Sequence, residues 1–386
     1  MPRRYTDEER DAFVRTNWGK MTRLEMATKL GCGVTTIGYI KQSLGLPDVK
    51  RSDRLKMKIE PLKDRVRTKL LKQKHGLTVD GLSDFFDSGV GKIRAVLSEL
   101  AEEGLNISVL DEGVELSKIL PTEKRTVIDV SKFKHRHFKF GLTADNHLGS
   151  KYERMDVLNA LFDIWKADGV KEVYQCGNMI EGERHSKFDI HTYGMQNQVD
   201  YFVENWPKRE GIRTFFVTGD DHEGWYVQDE GVNIGKFIQM TAEKAGRQDL
   251  IYMGHMEHDV VFPGSKQDAV MRIIHAGGGS SYATSYSVQK IIESYQGGEK
   301  PHILLVGHYH KAEYGYPREV HVVQAGCTKD QDSFLRKNKI QVHVGGWTFE
   351  FDQSEEGTIH NFKLTWHPFF DKGFYKGKTP WQYKWK

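Results

Sequence analysis

Five times along this chain an apolar run ends at a cluster of polar side chains able to bind metal. Phe138–Thr143 leads into Asp145-Asn146-His147, and Lys171–Cys176 into Gly177-Asn178. Arg213–Thr218 leads into Gly219-Asp220-Asp221-His222-Glu223, Met271–Ile274 into His275, and His302–Val306 into Gly307-His308-Tyr309-His310. Short apolar or alternating runs of this kind read as strands. Stretches of helical periodicity, such as Val157–Ala167 and Ile234–Ala245, lie between them. Strands alternating with helices, each strand followed by a polar corner, predict an α/β sheet whose site lies at the strand ends. The glycines let the backbone turn sharply at those corners. Together the corners supply enough imidazole, carboxylate and amide groups to hold two metal ions.

A length of 386 residues is too much for one small domain and suits two or three. A content of 38% hydrophobic and 28% charged residues is that of a soluble globular protein. No apolar run approaches the roughly 20 residues of a membrane helix, so no membrane partner is expected. The first ten residues lack the apolar core of a secretory signal. Cys32, Cys176 and Cys327 are scattered, with neither zinc-knuckle spacing nor a disulfide framework, which fits a reducing cytoplasm.

The net charge of +3 hides an asymmetry. Residues 1–136 carry 27 Lys+Arg against 20 Asp+Glu (+7), and the remaining residues carry 29 against 33 (−4). The excess is sharpest in Lys50–Lys74, with 11 basic and 3 acidic residues. A basic front half on an acidic rear half suggests a polyanion-binding module attached to a catalytic domain. Thr6-Asp7-Glu8-Glu9 is a capping-box pattern that opens a first helix. A second helix ends at Gly31-Cys32-Gly33, and a third runs from Val34 to about Leu46. This order resembles a helix-turn-helix, over residues 1–52, in which Thr35, Thr36, Tyr39, Lys41 and Gln42 are the candidates to face a DNA groove. Residues 53–120, with three helices and the hairpin Asn106–Leu110/Val114–Leu116, look like a winged helix whose wing is acidic (Asp111, Glu112, Glu115). Residues 121–136 read as a polar linker, 137–345 as the catalytic domain, and 346–386 as aromatic-rich strands extending it.

The five corners, taken in order, resemble the calcineurin-like metallophosphoesterase superfamily, which includes DNA-repair exonucleases. The resemblance covers roughly residues 138–345 and follows the family order: Asp-x-His, Gly-Asp, Gly-Asn-His-Glu/Asp, a lone His, Gly-His-x-His. It implies a β-sandwich flanked by helices and two divalent metal ions, manganese first, with iron, zinc or magnesium as alternatives. Imidazoles with hard oxygen ligands suit such ions. Two of them can clamp a phosphate and activate a nucleophile for in-line attack. By the resemblance, Asp145, His147 and His310 hold one ion, Asp221, His275 and His308 the other, and Asn178 bridges both. His222 then donates a proton to the leaving oxygen or stabilises phosphoryl charge, with Glu223 orienting it. Arg184 and His185 are candidates to touch a substrate phosphate, and Glu181 is expected to lie behind the ligands.

Two positions depart from the family pattern. The bridging residue is Asn178 where the family has an aspartate, and Asp221 stands where it has an asparagine. Three readings remain open: a compensated exchange of charge in an active enzyme, an inactivating change made at Asn178 for study, and a natural loss of activity. The first is preferred, because it alone accounts for Asp221. The expected function is a metal-dependent phosphodiesterase acting as a DNA nuclease, on single or double strands, from an end or internally. A homodimer is implied by nuclease relatives. The alternatives are a phosphatase or cyclic-nucleotide phosphodiesterase with protein-binding helical domains, and a catalytically inactive DNA-binding relative.

Overall fold

The computed structural model describes residues 6–18, 21, 23–46, 61–72, 77–110, 113–116, 125–184, 188–279 and 281–371. The chain divides into two compact units, Met1–Leu100 with Val109–Glu115, and Ala101–Ser108 with Leu116–Lys386. Among the described residues no helix is long and apolar enough to cross a membrane.

The first unit opens with three short helices, α1 (Asp7–Asn17), α2 (Arg23–Leu30) and α3 (Val34–Ser43). The capping box forms, with the Glu9 amide donating to Thr6 Oγ1 at 3.2 Å and the Thr6 amide donating to Glu9 at 2.8 Å. Gly31 makes the turn between α2 and α3 at φ +61. Val14, Met26, Ala27, Leu30 and Ile37 form the small core. Helices α4 (Leu62–Lys72), α5 (Val79–Phe86) and α6 (Val90–Glu102) follow, then strands β1 (Ile107–Leu110) and β2 (Gly113–Leu116), which pair as a hairpin. Leu77 bridges antiparallel to Val114, so a third extended segment lies on the hairpin. Of the basic stretch Lys50–Lys74 only 61–72 is described. The wing residues Asp111 and Glu112 and the side chain of Glu115 lie outside the described residues.

The second unit contains two six-stranded sheets. One has the order β14-β13-β4-β5-β6-β7 and the other β11-β12-β10-β9-β8-β3. Their strands are β3 (Arg125–Val127), β4 (His137–Thr143), β5 (Glu172–Cys176), β6 (Arg213–Thr218), β7 (Leu250–His255), β8 (Glu257–Phe262), β9 (Ala269–His275), β10 (Ile303–Gly307), β11 (Ala312–Gly315), β12 (His321–Ala325), β13 (Gly345–Gln353) and β14 (Ile359–Pro368). Strands β4 to β7 run parallel and are joined through α7 (Met155–Ala167), α8 (Met195–Asn205), α9 (Trp225–Glu230) and α10 (Ile234–Lys244). In the second sheet β9, β10 and β12 are parallel, with α11 (Tyr286–Ser294) between β9 and β10 and α12 (Ser333–Lys337) after β12.

One face of each sheet buries against the other. Phe138, Phe140, Phe349 and Phe351 from the first sheet pack with Phe262, Met271, Ile273 and Leu305 from the second. The outer face of the first sheet is covered by α7, α8 and α10, through Leu161, Trp165, Phe202 and Ile238. The result is helices, sheet, sheet and helices in layers, built from residues that alternate along each strand.

Residues 125–136 differ from the polar linker that their composition predicts. Val127 ends an edge strand, β3, that pairs parallel with β8, and Ile128, Val130 and Phe133 pack on the core between the sheets. Three apolar side chains within six positions are enough to anchor a segment that is otherwise charged. Of the last two strands, β13 lies inside its sheet, hydrogen-bonded to β4 on one side and to the edge strand β14 on the other.

Candidate metal centre

The parallel strands β4, β5, β6, β9 and β10 all end on one side, and each predicted ligand sits on the corner that follows its strand, save His275, which is the last residue of β9. The loops after β4 and β5 are zipped together by backbone hydrogen bonds, from the amides of Asp145, Asn146, His147 and Leu148 to the carbonyls of residues 177, 178 and 179. Asn146 does not face the site; its amide donates to Thr143 and Thr328 at 2.9 Å each and so pins the loop. Glycine is required where the sheets converge. A Cβ on Gly307 would lie 2.0 Å from the Cys176 carbonyl oxygen, and one on Gly219 would lie 2.6 Å from Asn178 Oδ1.

Two groups of side chains converge there. Asp145, His147 and His310 form one, and Asp221, His275 and His308 the other; within each, ligand atoms lie within 4.8 Å of one another. A third group, His147, Glu181 and His222, shares His147 with the first. Asp145, His147, Asn178, His308 and His310 all adopt positive φ, between 48 and 90°. That conformation is uncommon for residues with a Cβ and is retained where the surroundings over-determine it, typically at functional sites.

The second ring nitrogen of several histidines is held by a backbone carbonyl, which can only accept. His275 Nδ1 donates to the Cys176 carbonyl at 2.7 Å, leaving Nε2 toward Asp221 at 3.2 Å. His308 Nε2 donates to the Gly278 carbonyl at 2.6 Å, leaving Nδ1 3.3 Å from Asp221. His222 Nδ1 donates to the Glu181 carbonyl at 2.5 Å, leaving Nε2 on the side of Asp221, 3.9 Å from its Oδ2. Contacts of this kind fix tautomer and ring orientation behind a metal ligand.

The residues fit two cations. His147 Nε2 and His310 Nε2 face each other at 3.2 Å, and Asp145 Oδ1 lies 3.6 Å from the latter. Asn178 Oδ1 and His308 Nδ1 are buried without an aligned hydrogen-bond partner. Two imidazole nitrogens this close, beside a buried carboxylate and unpartnered polar atoms, can turn their lone pairs to a shared cation. Burial holds the His147 and His310 imidazoles well below their ordinary pKa, neutral as ligation requires. Burial also pushes the Asp145 carboxyl up to about 6. Burial would raise Asp221 as well, but His222, His275 and His308 outweigh it and hold that carboxyl far below the usual carboxylate range.

Three sequence-based expectations change. Glu223 does not orient His222: its two oxygens accept from the backbone amides of Asn178, Met179, Ile180 and Gly219, at 2.6 to 3.3 Å. It therefore ties the β5 and β6 corners together, and burial pushes its carboxyl up to about 7 despite those bonds. Arg184 is not among the residues lining the cavity at the clusters; its guanidinium stacks 3.3 Å over the Trp225 ring and lies 3.6 Å from Asp229. A planar cation on an aromatic face beside a carboxylate is already satisfied there. In the first unit, Thr35, Tyr39 and Gln42 lie on the exposed face of α3 and Thr36 is half-buried, whereas Lys41 turns back over the Trp18 ring at 5.9 Å. His185 lies outside the described residues.

No protein-family model and no curated protein matches this chain. Among solved structures, a novel archaeal phosphodiesterase is 13% identical over 60% of this chain and 100% of its own, with a TM-score of 0.31. A predicted phosphoesterase from Streptococcus pneumoniae is 14% identical over 60% and 98%, with a TM-score of 0.28. Vps29 from Entamoeba histolytica, complexed with zinc, is 11% identical over 59% and 99%, with a TM-score of 0.30. Likenesses this distant carry no weight in the chemistry, which rests on the geometry of the clusters.

The sequence did not point to Lys329 or Asp332. Lys329 is buried, with Nζ 2.9 and 3.1 Å from the Glu181 oxygens and 2.8 Å from Asp332. Glu181 in turn lies 2.9 Å from His147 Nδ1, so a chain of buried charges stands behind that histidine. A signal for it exists: His321–Ala325, Gly326, then Thr328-Lys329 repeats the pattern of an apolar run, a glycine and a polar corner.

The close packing at Gly177 gives a direct test. It has φ +88, and a Cβ there would lie 2.3 Å from His275 Nδ1. Gly177→Ala is expected to push His275 out of register and weaken Mn2+ binding at the second cluster roughly 10- to 100-fold, by analogy with changes to groups behind metal ligands. Calorimetric titration with Mn2+ reads this, and unchanged affinity would show that the ring position is not critical.

Proposed function

We propose that the protein is a metal-dependent phosphodiesterase of the calcineurin-like type, acting on DNA. The observation that carries this reading is the pairing of two clusters, each with one aspartate and two histidines, beside the Nε2 nitrogen of His222. Asp145, His147 and His310 would hold one divalent ion, and Asp221, His275 and His308 the other, with Asn178 between them. Two such ions polarise phosphoryl oxygens and lower the pKa of attacking water. The residues of the chain supply the rest. Asp145 and Asp221 offset the positive charge, Glu223 fixes the two corners against each other, and His222 Nε2 would meet either the leaving oxygen or the phosphoryl group. Turnover of bis-p-nitrophenyl phosphate in Mn2+, abolished by chelator, is the first test. No turnover with Mn2+, Mg2+ or Zn2+ removes the reading.

The choice of DNA as substrate is supported by the basic front half and by the exposed α3 face of Thr35, Tyr39 and Gln42. If those residues lie on DNA, affinity should fall steeply with salt as counterions are released, by roughly 0.9 in log K per phosphate contact for each decade of salt. Fluorescence anisotropy of a labelled duplex with the full chain should show at least a tenfold loss between 50 and 200 mM salt, about what two contacts would give. Tyr39→Ala with Gln42→Ala should weaken binding further. Absence of DNA binding at low salt would leave a phosphodiesterase whose helical modules serve another partner.

A further inference from the structure

The cavity at the clusters encloses about 290 Å3 and has two unlike parts. His147, Glu181, Asp221, His222, His308 and His310 make the polar part, while Phe334, Leu335 and Ile340 make an apolar wall. A phosphate needs cations and hydrogen-bond donors around it, and an apolar wall contributes nothing to holding it. Such a wall suits a less polar part of a substrate than its phosphate. Phe334 is well suited to that task, because it is 58% exposed while Leu335 beside it is 7% exposed.

The wall is also fixed relative to the metal ligands. Asp332 Oδ1 caps α12 by accepting from the Leu335 amide at 2.7 Å, and Asp332 Oδ2 meets Lys329 Nζ at 2.8 Å. Lys329 binds Glu181, which lies against His147. One buried chain of charges thus runs from the helix that carries Phe334 to a predicted metal ligand. Such a link places an aromatic face at a set distance from the phosphate position, which a solvent-driven surface packing would not require.

The size of the cavity limits what can stack there. Ligand pockets range upward from roughly 300 Å3, so this one holds a group the size of a single nucleotide. Resting on the phosphodiesterase reading, we infer that Phe334 is a stacking platform for the base of one unpaired nucleotide whose phosphate lies at the metal clusters. Every base has a π-face, so the contact is indifferent to sequence. A paired base could reach Phe334 only by leaving its stack, so the site takes an unpaired end or an unpaired loop.

The test is calorimetric titration of the Mn2+-loaded full chain with thymidine 5′-monophosphate and with inorganic phosphate. The nucleotide is expected to bind about tenfold more tightly than phosphate, or better, as stacking of one base allows. Phe334→Ala should bring the ratio of the two dissociation constants close to one, and Phe334→Tyr should restore it. A ratio near one in the unaltered chain, or a ratio untouched by Phe334→Ala, overturns the stacking platform while leaving the phosphodiesterase reading in place. Failure of both ligands to bind removes the phosphodiesterase reading, and the platform with it.

Discussion

Asp221→Asn is expected to cut turnover of bis-p-nitrophenyl phosphate in Mn2+ roughly 100- to 1000-fold, on the order of 3–4 kcal/mol of lost stabilisation. The charge distribution sets this size. Each cluster contains one carboxylate: Asp145 beside His147 and His310, and Asp221 beside His275 and His308. Asn178 contributes none, although its Nδ2 reaches within 3.4 Å of Asp145. Without Asp221 the second cluster offers only neutral groups to a divalent ion in a largely buried setting, where an uncompensated charge is costly. If Asn178 and Asp221 have exchanged roles, Asn178→Asp on the Asp221→Asn background should recover most of the activity. The number of carboxylates, rather than their seats, would then be what matters. Asn178→Asp alone should change turnover only a few-fold. A large gain from that single change would sink the exchange and mark Asn178 as a lesion, whether made for study or arisen naturally.

What the sequence shows clearly are the features with a local cause. A ligand at a strand end needs a sharp corner, so three of the five apolar runs are followed directly by a glycine, Gly177, Gly219 or Gly307, and that pattern is visible without coordinates. The sandwich core is legible for the same reason, since Phe138/Phe140 and Phe349/Phe351 sit two positions apart on β4 and β13. The features that depend on distant partners are not legible. Glu223 looks like a catalytic neighbour of His222, yet its bonds go to amides of a corner more than forty positions earlier. Arg184 looks like a phosphate contact until Trp225 is seen beneath it, and Lys41 looks groove-facing until Trp18 is. Lys329 lies at a sixth corner of the same kind as the others. A lysine is not a metal ligand, so its role shows only when Glu181 and Asp332 are brought to it by the fold.

His222→Ala should lower kcat for a DNA phosphodiester by about 10^2- to 10^4-fold, the usual contribution of a positioned general acid. Metal content should not change, because the six cluster ligands remain. The tautomer makes the assignment specific. Nδ1 is committed to the Glu181 carbonyl at 2.5 Å, so only Nε2 is available to carry a proton into the cavity. The two roles open to that nitrogen predict different dependence on the leaving group. A proton donor matters most when the departing oxygen is a poor leaving group, as the sugar oxygen of DNA is, and least for p-nitrophenolate. A fixed donor stabilising charge on the phosphoryl group matters equally for both. Comparing kcat for DNA and for bis-p-nitrophenyl phosphate in the His222→Ala chain therefore separates them. A loss confined to DNA assigns His222 as the acid, and an equal loss on both assigns charge stabilisation. Unchanged kcat on both would take the residue out of the reaction altogether, and would leave its ring, 4.5 Å from that of His147, as packing for that ligand.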